Sequence, residues 1–266
     1  MIGRAALRAA GLALACVGAQ ATPADYVAVP GGAFTSVLPQ GAVPGVASVV
    51  AMAPFRLRAV PVTAGEFRDF VVAHPQWRRD QAPALFVDAR YLVDWAAADR
   101  IDVAAGAAQR PATNVSWFAA EAFCASENAR LPTWLEWEYA AAADGTRTDA
   151  RADPAWRRRI LGWYERPATA ALPAVGGPAN AYGVRDLHGV VWEWVDDFNA
   201  LFIAGDSRTQ GDPDLLKFCG AGAISIVDRD SYAVLMRIAL LSSLGAADTT
   251  SSLGFRCARP SEGSTP

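Results

Sequence analysis

Apolar and polar residues alternate from Tyr26 to Phe34, the period of a half-buried strand, and Pro30-Gly31-Gly32 interrupts the run with a turn signal. Alternation returns from Phe55 to Val60 and predicts a second strand. Between them, Ala33 to Val50 is rich in Gly, Pro and small residues and reads as loop. Three helices follow from apolar spacing and end signals. The first starts after Thr63, where Glu66 completes a capping box, and Phe67, Phe70 and Val71 form its apolar face. The second follows Ser116 and presents Trp117, Ala120, Phe123 and Cys124. The third follows Thr133, with Glu136 closing another capping box. It is predicted to run through Trp137 and Tyr139 to Ala143, with Gly145 as its stop.

Beyond Gly145 the periodicity thins. Thr146 to Pro178 holds the run Arg157-Arg158-Arg159, which reads as a solvated surface. Asn180 to Arg259 is rich in Gly, Ser and aromatics with little period. No repeat, low-complexity tract or linker divides the chain. The expectation is one loop-rich α+β domain over residues 26–260, with 261–266 as a flexible tail. Loops this long in a compact domain must be pinned by aromatic packing, a disulfide or a metal.

The 266 residues are 52% hydrophobic and 19% charged, which excludes a disordered or fibrous chain. The formal net charge is −3 and no basic face is evident, which argues against a nucleic-acid partner. The N-terminus has the three parts of a signal peptide: Arg4 and Arg8, the apolar stretch Ala9 to Val17, and a small-residue cleavage site at Ala19-Gln20-Ala21. That stretch is too short to span a bilayer. A periplasmic or secreted protein is expected after cleavage at Ala21; a lipoprotein anchored through Cys16 is the second reading. Cys124, Cys219 and Cys257 remain. In an oxidising compartment two can pair and one is left over, and spacing alone does not choose them. The chain has no Cys-x-x-Cys, so neither a zinc ribbon nor a thioredoxin-like site is supported.

Several segments carry a resemblance. Pro111-Ala112-Thr113-Asn114-Val115-Ser116-Trp117 is followed by Arg130-Leu131-Pro132-Thr133-Trp134-Leu135-Glu136-Trp137-Glu138-Tyr139-Ala140. Then come Asn180-Ala181-Tyr182-Gly183, Asp186-Leu187-His188-Gly189-Val190-Val191-Trp192-Glu193-Trp194 and Leu253-Gly254-Phe255-Arg256-Cys257-Ala258. In this order they resemble the sulfatase-modifying-factor (formylglycine-generating enzyme) family. The resemblance implies an α+β fold related to C-type lectin-like domains, with little regular structure.

The family's copper-dependent oxidase uses two cysteines five residues apart, and in ungapped register those positions hold Asp228 and Ala233. Thiolates select Cu(I), and neither residue replaces one, so no copper is expected. The family's iron-dependent activity uses three His, whereas this chain has only His74 and His188. The resemblance also implies a structural calcium held by the Asp186 and Glu193 side chains and the Gly189 and Val191 carbonyls, an oxygen-rich set suited to that ion. The alternative is that these carboxylates accept loop amides. A disulfide between Cys124 and Cys257 is implied as well. The positions of a second family disulfide hold Ala141 and Ile238.

Three functions remain open from the residues. One is an exported accessory protein that binds or matures another exported protein or peptide, with Asp228, Arg229, Asp230, Ser231, Tyr232 and Arg237 lining a groove; the segment resembles that of accessory proteins associated with copper nitrite reductases. Another is an enzyme of different chemistry, with Asp228 and Tyr232 as acid and base beside Trp192. The third is a calcium-dependent ligand-binding module.

Overall fold

The computed structural model describes residues 25–38, 48–101, 106–165, 171–201 and 232–261. The expected signal peptide with Cys16, and Cys219, Asp228, Arg229, Asp230 and Ser231, lie outside the described residues, as does most of the expected tail.

Strands β1 (Tyr26–Val29), β4 (Phe55–Arg58) and β7 (Ala258–Pro260) form an antiparallel sheet in the order β1-β4-β7. Tyr26 pairs with Arg58 and Phe55 with Pro260, so the start of the domain, its middle and its end are tied together. Strands β2 (Gly32–Ser36) and β3 (Ser48–Met52) form an antiparallel pair in which Gly32 faces Met52. This corrects the expectation of loop from Ala33 to Val50. Phe34 and Ser36 are buried, and burial of alternate positions makes a strand of a sequence that reads as loop by composition.

Both capping boxes form. Helix α1 (Ala64–Ala73) is capped by Thr63 with Glu66, and α3 (Trp134–Ala141) by Thr133 with Glu136. Helix α2 (Trp117–Ser126) is capped by the Ser116 hydroxyl, which accepts from the Ala119 amide. Helix α3 ends two residues before the expected Ala143, and Gly145 is not among the left-handed glycines. Instead the returning chain satisfies its end: the Ala150 amide donates to Ala142 O (2.8 Å) and the Ala181 amide to Asp144 O (2.7 Å).

Two helices correct the expectation of irregular chain. Helix α4 (Pro154–Tyr164) has Asp153 as N-cap and Pro154 in its first turn, a favoured combination at helix starts. Helix α5 (Tyr232–Ser242) buries Val234, Ile238 and Leu241, which recur at helical spacing. The arginine run on α4 is split, with Arg158 and Arg159 exposed and Arg157 partly buried.

The core is aromatic. Phe67 of α1 meets Phe70 (5.5 Å between centroids), Phe123 (5.9 Å) and Phe255 (5.8 Å). Beside them, Cys124 of α2 and Cys257 are joined by a disulfide across 133 residues of chain, both fully buried. A loop of that length corresponds to about 4–5 kcal/mol in the chain-entropy view.

The motif loops are pinned by side chains. Trp194 donates its indole N–H to Val115 O (2.9 Å), and Trp117 donates to Val195 O (3.0 Å), so two motifs exchange indole bonds. Asn180 Oδ1 accepts from the Tyr182 and Val184 amides (both 3.0 Å) and its Nδ2 donates to Ala140 O (2.8 Å). No described helix is long and apolar enough to cross a membrane.

Candidate functional site

Strands β5 (Trp192–Glu193) and β6 (Leu253–Gly254) pair in parallel, Trp192 facing Leu253 and Glu193 facing Gly254. This short ladder sets the Trp-Glu-Trp segment against the Gly-Phe-Arg-Cys segment. A Cβ on Gly254 would lie 2.5 Å from Ala112 O, so only glycine allows this approach. The consequence is a buried ion pair. Arg256 donates through Nε to Glu193 Oε2 (2.9 Å) and through Nη2 to Oε1 (2.7 Å), and neither side chain is exposed. Arg256 also donates to Arg58 O (3.0 Å), Ala59 O (3.4 Å) and Arg185 O (2.9 Å). Trp137 of α3 donates its indole N–H to Glu193 Oε2 (2.9 Å). A second guanidinium, Arg237 of α5, lies 3.5 Å over the Trp137 ring and donates to the Glu193 carbonyl. Arg237 is almost fully buried, so its cation is sheltered by an aromatic face.

His188 occupies a cage of three tryptophans. Its ring stacks on Trp163 (5.7 Å) and meets the edges of Trp137 (5.7 Å) and Trp156 (5.6 Å). Nε2 lies 2.8 Å from Ala141 O; a ring nitrogen facing a carbonyl must carry the proton, so the other nitrogen is the acceptor in the neutral ring. Burial pushes its pKa down to about 4, against the raising effect of the Ala141 carbonyl, and the nearby Arg237 cation adds to the lowering. His188 is therefore neutral at pH 7. Gly189 makes the cage close: a Cβ there would lie 2.4–2.7 Å from the Trp163 indole. The other histidine, His74, ends α1, with Nδ1 3.0 Å from Phe70 O and its ring against Phe70.

The residues named for calcium are placed as follows. Asp186, in a left-handed conformation (φ 61°), accepts the Gly176 amide on Oδ2 (2.6 Å) and the Gly177 amide on Oδ1 (3.0 Å). Glu193 is committed to Arg256 and Trp137. Val191 is buried, and the Trp163 ring lies against Gly189. Both carboxylates named for calcium are thus engaged, Asp186 by loop amides and Glu193 by a guanidinium and an indole. Arg256 pairs with the Glu193 carboxylate, and Arg237 donates to the Glu193 backbone carbonyl. Among the described residues, no group of three or more His, Cys, Asp and Glu could hold a metal.

A cleft of about 340 Å³, including its open mouth, lies between α4 and α5. Trp156, Ile160 and Leu161 of α4 and Ala233 and Val234 of α5 give it apolar walls. His188, Arg151 and Arg157 supply its polar groups. Arg151 also pairs with Asp149 (2.7 Å) and reaches Glu138 (3.5 Å). Burial raises the pKa of the Glu138 carboxyl, although Ser36, Val37, Arg151 and Trp134 all oppose the shift.

Ala233, at the position of a missing thiol, lies on the cleft wall; the candidate Arg237, one helical turn along α5, faces Trp137 instead. Trp192 is half-buried and anchored by its amide to Ser252 O (2.8 Å); it does not line this cleft. Tyr232 opens α5. Sequence reasoning missed Trp156, Ile160 and Arg157, although the Asp153-Pro154 helix start and the Trp156/Ile160 spacing were visible signals.

The model of the sulfatase-modifying factor enzyme 1-like domain family matches residues 15–261. The chain belongs to this family. Relatives similar to it include hercynine oxygenase from Mycolicibacterium smegmatis, 31% identical over 56% of this chain and 38% of its own length. The formylglycine-generating enzyme of Streptomyces coelicolor is 31% identical over 59% of this chain and 55% of its own. The inactive C-alpha-formylglycine-generating enzyme 2 of Bos taurus is 29% identical over 56% and 50%. The chain thus spans 38–55% of the length of these relatives. Among solved structures, PvdO from Pseudomonas aeruginosa is similar at 18% identity and a TM-score of 0.48, covering 91% of this chain and all of that one.

Proposed function

We propose that this family member binds a segment of an exported partner protein in the cleft between α4 and α5, and does not carry out copper-dependent formylglycine formation. The observation that carries the reading is Ala233. The resemblance sets a thiolate at this position, and here a methyl group lines the cleft. A methyl offers no ligand atom to any metal, and a carboxylate at Asp228 is a hard ligand unsuited to Cu(I). With Cys124 and Cys257 in a disulfide, Cys219 is the one thiol left to the exported chain. A relative named as an inactive formylglycine-generating enzyme is in keeping with the fold kept without that chemistry.

Export is supported by Arg4, Arg8 and the apolar stretch that follows, and by a structural disulfide, which persists in oxidising compartments. The resemblance of the Asp228–Arg237 segment makes a copper nitrite reductase one partner to test. The test is capture from periplasmic extract on the immobilised mature chain, with Ala233→Trp as control. The reading expects a partner retained by the native chain and lost from a variant that melts normally. Equal capture by both proteins would refute it.

A further inference from the structure

Helix α4 is seated apart from the main core. Among its described side chains Trp156 and Ile160 are buried; with Ala150 and Ala233 they form a small apolar cluster of their own, against which Leu161 and Trp163 pack. Its opposite face, with Ala155, Arg158, Arg159 and Gly162, is exposed. Two rings of α4, Trp156 and Trp163, close on His188 (5.6 and 5.7 Å between centroids). On the core side the same imidazole meets Trp137 of α3 (5.7 Å), and its Nε2 is held by the Ala141 carbonyl (2.8 Å). We infer that α4 is a latched element: His188 is the peg that joins its two indoles to α3, and α4 opens as a unit while α1, α2 and α3 stay folded.

The start of the helix is fixed. The Ala150 amide donates to Ala142 O (2.8 Å), and Asp153 accepts the Ala155 amide (2.7 Å) and pairs with Arg147 (2.7 Å). Opening therefore pivots at residues 150–153 and moves the far end, where Trp163 lies. The helix is also weak by itself. Gly162 stands in its last turn, and a Cβ there would meet nothing within 4 Å. No close approach requires this glycine, and it costs the helix backbone entropy that an alanine would not. Gly189 is the contrast: a Cβ there would lie 2.4–2.7 Å from the Trp163 indole, so that glycine seats the latch. A weak helix with a small apolar footprint opens below the free energy of global unfolding. The inference stands on the packing of this chain alone, whether or not a partner segment binds. Since α4 carries one wall of the cleft, its opening also sets the width of the cleft.

The experiment is native-state hydrogen exchange of the full mature chain, read by mass spectrometry on peptides covering each helix. The α4 amides are expected to be protected roughly a hundredfold less than those of α3. His188→Ala removes both indole contacts and should speed exchange in α4 roughly tenfold or more, with α1 and α2 unchanged. Gly162→Ala, on the exposed face, should slow exchange in α4 roughly fivefold and nowhere else. This second variant leaves the latch intact, so it decides the matter alone where His188→Ala does not fold. Protection of α4 equal to that of α3 would overturn the inference. So would a His188→Ala protein in which every helix exchanges faster by the same factor, or a Gly162→Ala protein in which α4 exchanges as in the native chain.

Discussion

Glu193 and Arg256, 63 residues apart, meet in a two-pronged ion pair with neither side chain exposed to solvent. The pair locks the Trp-Glu-Trp loop to the C-terminal segment where β5 and β6 are only two residues long. Two-residue strands contribute little by themselves, so this contact and the indole bonds around it hold the region together. Breaking a buried pair strands a charge, at about 3–5 kcal/mol. Glu193→Gln and Arg256→Met should each destabilise by that order in urea melts. The double variant should cost clearly less than their sum, because no charge is then left alone. Additive losses would mean the two groups do not act as a pair.

His188 should make the fold acid-sensitive. Its pKa is depressed to about 4, below the 6.5 of an unstructured histidine, so between these values the unfolded chain binds the extra proton. Its neutral-state contribution is complete above about pH 6.5 and is lost as pH falls towards 4. His188→Gln should flatten the melting temperature against pH across this window relative to the native protein. Parallel curves would show that the cage does not exclude the proton.

Metal removal should leave the fold unchanged. Asp186 is engaged by the Gly176 and Gly177 amides and Glu193 by Arg256. Thorough chelation should therefore shift the melting temperature by less than a degree, with no response to added calcium. A fall reversed by calcium would mean that these carboxylates bind the ion by mass action.

The legible parts of the sequence were those with local causes. Thr63/Glu66 and Thr133/Glu136 satisfy helix ends within four residues, and both boxes form as the spacing requires. The motif segments, read by resemblance, pointed to the family that matches residues 15–261. What escaped was tertiary in origin. β3 becomes a strand because β2 pairs with it, not because Ser48–Met52 stands out in its neighbourhood. Helix α5 is apolar on most of its surface and carries Arg237 among buried residues; a buried arginine looks like a surface one until the Trp137 face that shelters it is known. Likewise Glu193 meets Arg256 63 residues further along the chain, a pairing that only the fold brings together.

The central claim is that the fold is kept and the oxidation chemistry is not. Its most direct measurement is aldehyde formation on a sulfatase-motif peptide, incubated with mature protein, Cu(I) and oxygen and read by mass spectrometry. Ala233 and Asp228 in place of thiols predict no aldehyde above the protein-free control, for the native chain and for Cys219→Ser alike. Robust aldehyde formation that disappears in Cys219→Ser would contradict the account.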